Sequence, residues 1–190
     1  MNARNSKILR GSQGAAVVVA AGLALAGASA VSANEQAAPQ NQVATAAQAA
    51  DVKAASVSRS RVIDRAKAWV DAKVPYSMSD YRNDYRTDCS GYVSMAWMLG
   101  DSLTTVTLPD VTTAIGKEDL RAGDIMGKLG PGTGGAAGHV FLFDRWEDKA
   151  AGKFLAYEQT PPHTVHSHKN YSSLIDEGYK AYRYNNITDG

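Results

Sequence analysis

The pattern of apolar and polar residues divides the chain into three segments. Residues 15–28 form an apolar run behind three basic residues, and small residues follow it up to Ala33. This order is that of a secretory signal peptide, which has a basic start, an apolar stretch and a small-residue cleavage site. The run is short for a bilayer span, which disfavours a membrane anchor. The pattern predicts a signal peptide over residues 1–33, cleaved after Ala33 or, as the alternative, after Ala30.

Two further segments follow the predicted cleavage site. Residues 34–58 are dominated by Ala, Gln, Val and Ser and contain no aromatic residue, which is typical of a flexible segment. Residues 59–190 contain every Trp, Tyr and Phe and the single Cys. Their number suits one compact domain.

The first part of this domain has apolar residues at the spacing of an α-helix. Apolar residues recur at three and four positions over residues 60–74, and Pro75 ends the pattern. A second helix is predicted over residues 90–99, which are mostly apolar on all sides, with Gly100 as its C-cap. We expect this helix to be buried, and we predict a short third helix that ends at Ile115.

Strand-like runs dominate the rest of the domain. A turn over residues 120–126 leads into a strand, and a glycine-rich loop covers residues 129–138. Three more strands are predicted, of which the first two form an antiparallel hairpin; they cover residues 139–144, 153–159 and 179–184. Helices followed by consecutive strands predict an α+β fold, in which the second helix packs on an antiparallel sheet.

Charge and composition exclude several classes of partner. Removal of residues 1–33 leaves 17 basic and 19 acidic residues, a formal charge of −2. No basic stripe is present, so nucleic acid is not an expected partner. The glycine-rich loop lacks the Gly-Lys-Ser/Thr ending of a phosphate-binding loop, and no cofactor is predicted. We expect a secreted monomer that makes no membrane contact once the signal peptide is removed.

Cys89 is the first candidate for chemistry. A secreted protein normally pairs its cysteines, so a single one is a buried inert thiol, an intermolecular link or a nucleophile. The segment Asp88-Cys89-Ser90-Gly91 reads as a polar turn that opens into the second helix. Exposed N–H groups and the helix dipole stabilise a thiolate at such an N-terminus, which favours the nucleophile.

A nucleophilic cysteine needs a base and a third group that orients the base. His139 begins a strand directly after the glycine-rich loop, fifty residues beyond Cys89. Glu158 lies near the end of the next strand, where a hairpin can place it across from His139. The alternative is a core thiol, a histidine that merely begins a strand and a solvated carboxylate.

The other three histidines, His163, His166 and His168, form a separate cluster. Imidazole is a common ligand of zinc. No cysteine and no obvious acid completes a tetrahedral set, and the two prolines before the cluster indicate a loop. We therefore predict no metal site.

These residues also carry a resemblance to a known family. Residues 87–93, with Cys89 at their centre, resemble the nucleophile motif of NlpC-type cell-wall peptidases, which are papain-like cysteine enzymes of bacteria. Residues 120–125 resemble the family's Leu-x-Pro-Gly-Asp stretch, with Ala122 where Pro is usual. Residues 138–143 resemble its Gly-His-Val strand, and residues 74–76 resemble the segment with its active-site tyrosine.

The resemblance implies a papain-like domain that cuts amide bonds in the stem peptides of peptidoglycan, in the cell wall or the extracellular space. Cys89 would attack a carbonyl carbon, and His139 would act as base and as proton donor to the leaving amine. The third catalytic position is most often His in this family, but the related CHAP amidases use Glu, which matches Glu158. Gln159, the next residue, is the alternative.

The resemblance also implies a set of substrate-binding residues. Tyr76 or another donor would join the backbone N–H of Cys89 in stabilising the oxyanion. Asp88 matches a position that helps to bind a substrate amine, and Ser90 would contact substrate or cap the helix. Two other functions stay open: a catalytically silent wall-binding module of the same fold, and a deamidase or transamidase that acts on proteins.

Overall fold

The computed structural model describes residues 56–190. This part contains three helices: α1 (Arg59–Asp71), α2 (Cys89–Ala96) and α3 (Tyr171–Asp176). It also contains ten strands: β1 (Val57–Ser58), β2 (Tyr81–Arg82), β3 (Tyr85–Arg86), β4 (Thr112–Ile115), β5 (Ile125–Lys128), β6 (His139–Asp148), β7 (Lys153–Glu158), β8 (Val165–Asn170), β9 (Lys180–Tyr184) and β10 (Ile187–Thr188). The predicted signal peptide and residues 34–55 of the predicted flexible segment lie outside the described residues.

One antiparallel sheet of six strands, in the order β4-β9-β5-β6-β7-β8, forms the centre of this domain. Helix α2 packs against β6 and against α1. The two remaining pairs are the parallel ladder β1–β10 and the small hairpin β2–β3. The predicted α+β class is confirmed at this level, as a mixture of helices and an antiparallel sheet.

Apolar side chains alternate along the strands and build a core on each face of the sheet. Leu142 and Tyr157 point to the face that α1 and α2 cover, where Trp97 is fully buried. Phe141 and Phe154 belong to the second core, on the opposite face. Successive strand residues point to opposite faces, so each strand of this hairpin contributes to both cores.

Backbone geometry ends both long helices earlier than the sequence pattern predicted. Helix α1 ends at Asp71, and Lys73 then adopts a left-handed conformation with φ of 46°, ahead of Pro75. Helix α2 ends at Ala96, and Met98 takes the corresponding conformation with φ of 58°. The prediction of Gly100 as C-cap was wrong, because the left-handed residue that stops a helix is here a methionine two positions earlier.

Two sequence predictions about the other elements need correction. Residues 112–115 form the edge strand β4, paired with β9, and not the end of a helix; β-branched residues dominate this segment and favour a strand. The segment that contains His166 and His168 is the strand β8, where a loop was indicated. Val57, which precedes the predicted domain boundary, is buried and pairs with Ile187.

Within residues 56–190, none of the helices has the length and apolar character needed to cross a membrane.

Candidate active site

Helix α2 presents Cys89 as its first residue. Asp88 is the N-cap, and its Oδ1 accepts a hydrogen bond from the backbone N–H of Gly91 at 2.7 Å. An N-cap of this kind satisfies one of the free N–H groups of the first turn, while the N–H groups of the first residues have no partner within the helix. The Cys89 sulfur therefore sits where the helix dipole favours a negative charge.

Gly91 is required by the path of the chain into this helix. A Cβ atom at this position would lie 2.1 Å from the carbonyl oxygen of Arg86. No side chain fits in that space, so the turn before α2 can close against the helix only if residue 91 is glycine. The glycine of the Asp-Cys-Ser-Gly motif is therefore required for a steric reason.

Arg86 neutralises Asp88 and holds the turn together. Its Nε donates to Asp88 Oδ2 at 2.6 Å, and another guanidinium nitrogen donates to Ser90 Oγ at 3.0 Å. It also donates to the backbone carbonyls of Ser102 and Leu103. Burial by itself would lower the pKa of Arg86. The hydrogen bond to Asp88 and the charge of that carboxylate outweigh burial, so the pKa of Arg86 is raised. The role of Asp88 in binding a substrate amine stays a prediction. In the structure the Asp88 carboxylate already forms an ion pair with Arg86.

His139, the first residue of β6, lies between Cys89 and Glu158. Its Nε2 donates to Glu158 Oε1 at 2.7 Å, and the Cys89 side chain is close enough to the ring to raise its pKa. Since Nε2 is taken by the carboxylate, Nδ1 is the ring nitrogen left for a bond to the sulfur. The structure therefore brings together the three residues that the sequence nominated for catalysis.

Strand register explains how Glu158 reaches the imidazole. The hairpin pairs Leu142 with Tyr157, so its continuation places Glu158 opposite Phe141, two residues beyond His139. Glu158 and His139 are consequently diagonal neighbours on one face, within reach of a long side chain. The sequence analysis expected the two residues to lie directly opposite each other. In the structure they are offset by two residues along the strand.

Protonation at this site favours an imidazolium next to a carboxylate. Burial, the largest single influence on His139, opposes its charge, but hydrogen bonds and charges from Cys89 and Glu158 together raise its pKa from 6.5 to about 9. Burial likewise opposes ionisation of Glu158, yet its bonds to His139 and Lys169 lower its pKa from 4.5 to about 2. At neutral pH the site therefore holds a charged histidine and a charged glutamate.

Two partners of Glu158 lie on β8 and were missed by the sequence analysis. Lys169 Nζ donates to Glu158 Oε2 at 2.5 Å, and Ser167 Oγ donates to the same oxygen at 3.3 Å. The available signal was the alternation of β8, which places Ser167 and Lys169 on one side of the strand. The two prolines that precede this polar segment indicated a loop, so the strand was not predicted.

Gln159, the alternative for the third position, points away from His139. It is fully buried, and its Nε2 donates to the carbonyl oxygens of Val74, Pro75 and Thr87 at 3.2, 3.0 and 2.8 Å. The amide therefore ties the end of β7 to the segments on either side of the groove beside Cys89. This geometry gives Gln159 a structural role and leaves Glu158 as the third member of the site.

A groove with a volume of about 260 Å³ opens beside Cys89. Its walls are formed by Tyr76, Met78, Arg86, Asp88, Cys89, Ser90, Thr104, Thr105 and Gly135. Cys89 is only 6% exposed, but it is part of this wall, so a substrate in the groove can reach the sulfur. Of the predicted substrate-binding residues, Tyr76, Asp88 and Ser90 all line the groove.

Burial has the largest effect on Tyr76, and the nearby charges of Cys89 and Asp88 also raise its pKa. The phenol therefore stays protonated and can donate a hydrogen bond into the groove. Ser90 does not cap the helix, because Asp88 does; its hydroxyl instead donates to Asp88 Oδ1 at 3.2 Å.

The other histidines have separate partners. His166 Nε2 lies 3.0 Å from Asp144 Oδ2, and its ring stacks on Tyr157 at 4.1 Å between centroids. His168 bonds an exposed glutamate, and His163 bonds the backbone of its neighbour. No group of three or more potential metal ligands occurs among residues 56–190.

The site thus combines a cysteine at a helix N-terminus, a histidine and a buried carboxylate beside an open groove. This is the residue set of nucleophilic acyl transfer, in which a thiolate, a base and an orienting group act together. Neither a scan of family models nor a search of curated proteins finds a match for this chain.

Proposed function

We propose that this protein is a secreted cysteine hydrolase of the papain-like NlpC type, which cleaves amide bonds in the stem peptides of peptidoglycan. The observation that carries the proposal is the imidazole of His139, which is bonded to Glu158 at 2.7 Å and whose pKa is raised by the neighbouring Cys89. The stem-peptide substrate rests on the motif resemblance around Cys89 and His139. The site of action would be the cell wall or the extracellular space.

The first half of the reaction forms an acyl-enzyme. The Cys89 thiolate attacks the carbonyl carbon, a C–S bond forms, and the carbonyl electron pair moves to oxygen. The backbone N–H of Cys89, at the free end of α2, would stabilise that oxyanion together with the hydroxyl of Tyr76, which lines the same groove, or another donor. The C–N bond then breaks, and the His139 imidazolium gives its proton to the leaving amine.

The second half consumes one water molecule. The neutral His139 takes a proton from water, and the resulting hydroxide attacks the thioester carbonyl. The C–S bond breaks, a carboxylic acid leaves, and the thiolate and imidazolium are restored. Glu158 stays ionised throughout and holds the ring so that Nδ1 faces the sulfur.

The decisive experiment is mass spectrometry of defined muropeptides after incubation with the wild type or with Cys89→Ala. We expect wild type to release fragments with new amino groups, and Cys89→Ala to release none while its melting curve stays near that of wild type, since only the sulfur is removed. Intact muropeptides with wild type would refute wall hydrolysis and favour the silent binding module. Intact muropeptides together with deamidated protein glutamines would favour the protein-directed alternative.

A further inference from the structure

Lys169 lies on the same face of the sheet as two of the candidate catalytic residues, His139 and Glu158. In the β7–β8 ladder, Lys169 is opposite Phe154 and Val165 is opposite Glu158. The lysine side chain runs along this face toward Glu158 and ends with Nζ 5.0 Å from the centre of the Phe141 ring. It is 21% exposed, so most of it is withdrawn from water, in contrast to an ordinary surface lysine.

The Glu158 carboxylate divides its two oxygens between different cations. Oε1 accepts from His139 at 2.7 Å, and Oε2 accepts from Lys169 at 2.5 Å. The glutamate side chain is only 9% exposed. A buried carboxylate is stable only with close partners, and rotation about its last bond is prevented when both oxygens are held.

We propose that Lys169 is a positioning residue of the active site, whose ammonium fixes the Glu158 carboxylate and balances its charge toward His139. This inference rests on the proposed cysteine-hydrolase function. It extends the site from three side chains to four: the Cys89 sulfur, the His139 imidazole, the Glu158 carboxylate and the Lys169 ammonium.

The Glu158–Lys169 ion pair changes the charge that the imidazole of His139 faces. Papain-like proteases use a neutral asparagine as the third group, which orients the imidazole without adding charge. A lone glutamate would stabilise the imidazolium more than the Glu158–Lys169 pair does, because the pair is neutral as a unit. With the lysine present, His139 keeps its orientation and can still release its proton to a leaving amine.

Other charged and titratable groups face His139 as well. Lys128 lies directly opposite it on β5, with Nζ 4.9 Å from the ring centre of Tyr179. Tyr179 packs edge-on against the imidazole, and burial raises its pKa to about 12, so it is uncharged at neutral pH. Among the ion pairs of residues 56–190, Glu158 pairs with Lys169 and His139 but not with Lys128, so Lys169 is the lysine that balances this carboxylate.

The test measures the pH dependence of Cys89 alkylation by iodoacetamide in Lys169→Met, Lys169→Arg and wild type. Loss of a positive charge near the ion pair disfavours the thiolate and favours the imidazolium. We therefore expect the pH at which Cys89 becomes reactive to move upward by about one unit in Lys169→Met. Lys169→Arg keeps the charge and should restore the wild-type profile.

Lys67→Met is the matched control, since Lys67 is exposed on α1, outside the site. A lower melting temperature of Lys169→Met without a shifted pH profile would show a merely structural lysine and overturn the inference. Equal profiles for Lys169→Met and Lys67→Met would overturn it too. If wild-type Cys89 itself reacts as an ordinary thiol, the proposed hydrolase fails, which is a distinguishable result.

Discussion

At the scale of the residue, Glu158 decides what kind of site this is. Its two oxygens bind His139 and Lys169, and the residue is only 6% exposed to water. The raised pKa of His139, about 9, depends in part on this carboxylate. The imidazolium thus contributes stability that is full below pH 6.5 and is lost as the pH rises through about 9.

Substitution Glu158→Gln tests this residue directly. The amide keeps the shape but removes the charge, so the pKa of His139 should fall and the ring should lose its fixed tautomer. We expect turnover to drop by about 10²-fold without vanishing, because the nucleophile and the base are still present. Gln159→Ala is the control: it should lower the melting temperature and leave the pH profile of turnover unchanged. The opposite pattern would move the third position to Gln159.

At this scale the sequence was informative where chemistry restricts the residue type. A single cysteine at a helix start and a histidine at a strand start could be recognised from their local contexts. The lysine that completes the site could not, because Lys169 reaches Glu158 only through the pairing of β7 with β8. The pairing of Asp88 with Arg86 was also missed, although the two residues are close in sequence.

At the scale of the element, the start of α2 determines the position of Cys89. Asp88 caps the helix, Arg86 pairs with Asp88, and Gly91 lets the preceding carbonyl approach the helix. Helix positions were predictable from the apolar pattern, since the spacing of buried side chains is local. The helix ends were not, because Lys73 and Met98 adopt left-handed conformations that glycine usually provides.

Substitution Gly91→Ala tests the start of α2. The new methyl group would meet the Arg86 carbonyl oxygen at 2.1 Å, which the backbone must relieve by moving. We expect a loss of about 1–3 kcal/mol in the free energy of unfolding and slower alkylation of Cys89, as the helix N-terminus shifts. Gly100→Ala is the control, because a Cβ there meets nothing within 4 Å. Equal stability of the two variants in chemical denaturation would contradict the steric account.

At the scale of the whole domain, the site exists because a helical layer and a sheet meet at one edge. Cys89 belongs to α2, whereas His139 and Glu158 belong to β6 and β7. Asp124 helps to join the parts, since this fully buried carboxylate binds Arg59 at the start of α1 and Arg183 on β9. The α+β class was predictable from the order of helices and strands.

Sheet order could not be predicted in the same way. Strand β9 comes late in the chain but lies between β4 and β5, and β4 was assigned to a helix. Such non-local pairings depend on the burial of both faces together, for which a single sequence carries little local signal.

The contact between the layers is tested most directly by the reactivity of Cys89. The measurement is the rate of iodoacetamide alkylation from pH 5 to pH 10 for wild type and for His139→Ala, with melting curves to establish that both are folded. If the imidazolium of His139 holds a thiolate at Cys89, wild type reacts rapidly at pH 6, at least about tenfold faster than His139→Ala. If both proteins react slowly at pH 6 and accelerate together toward about pH 8.5, the sulfur is an ordinary thiol and the proposed hydrolase is wrong.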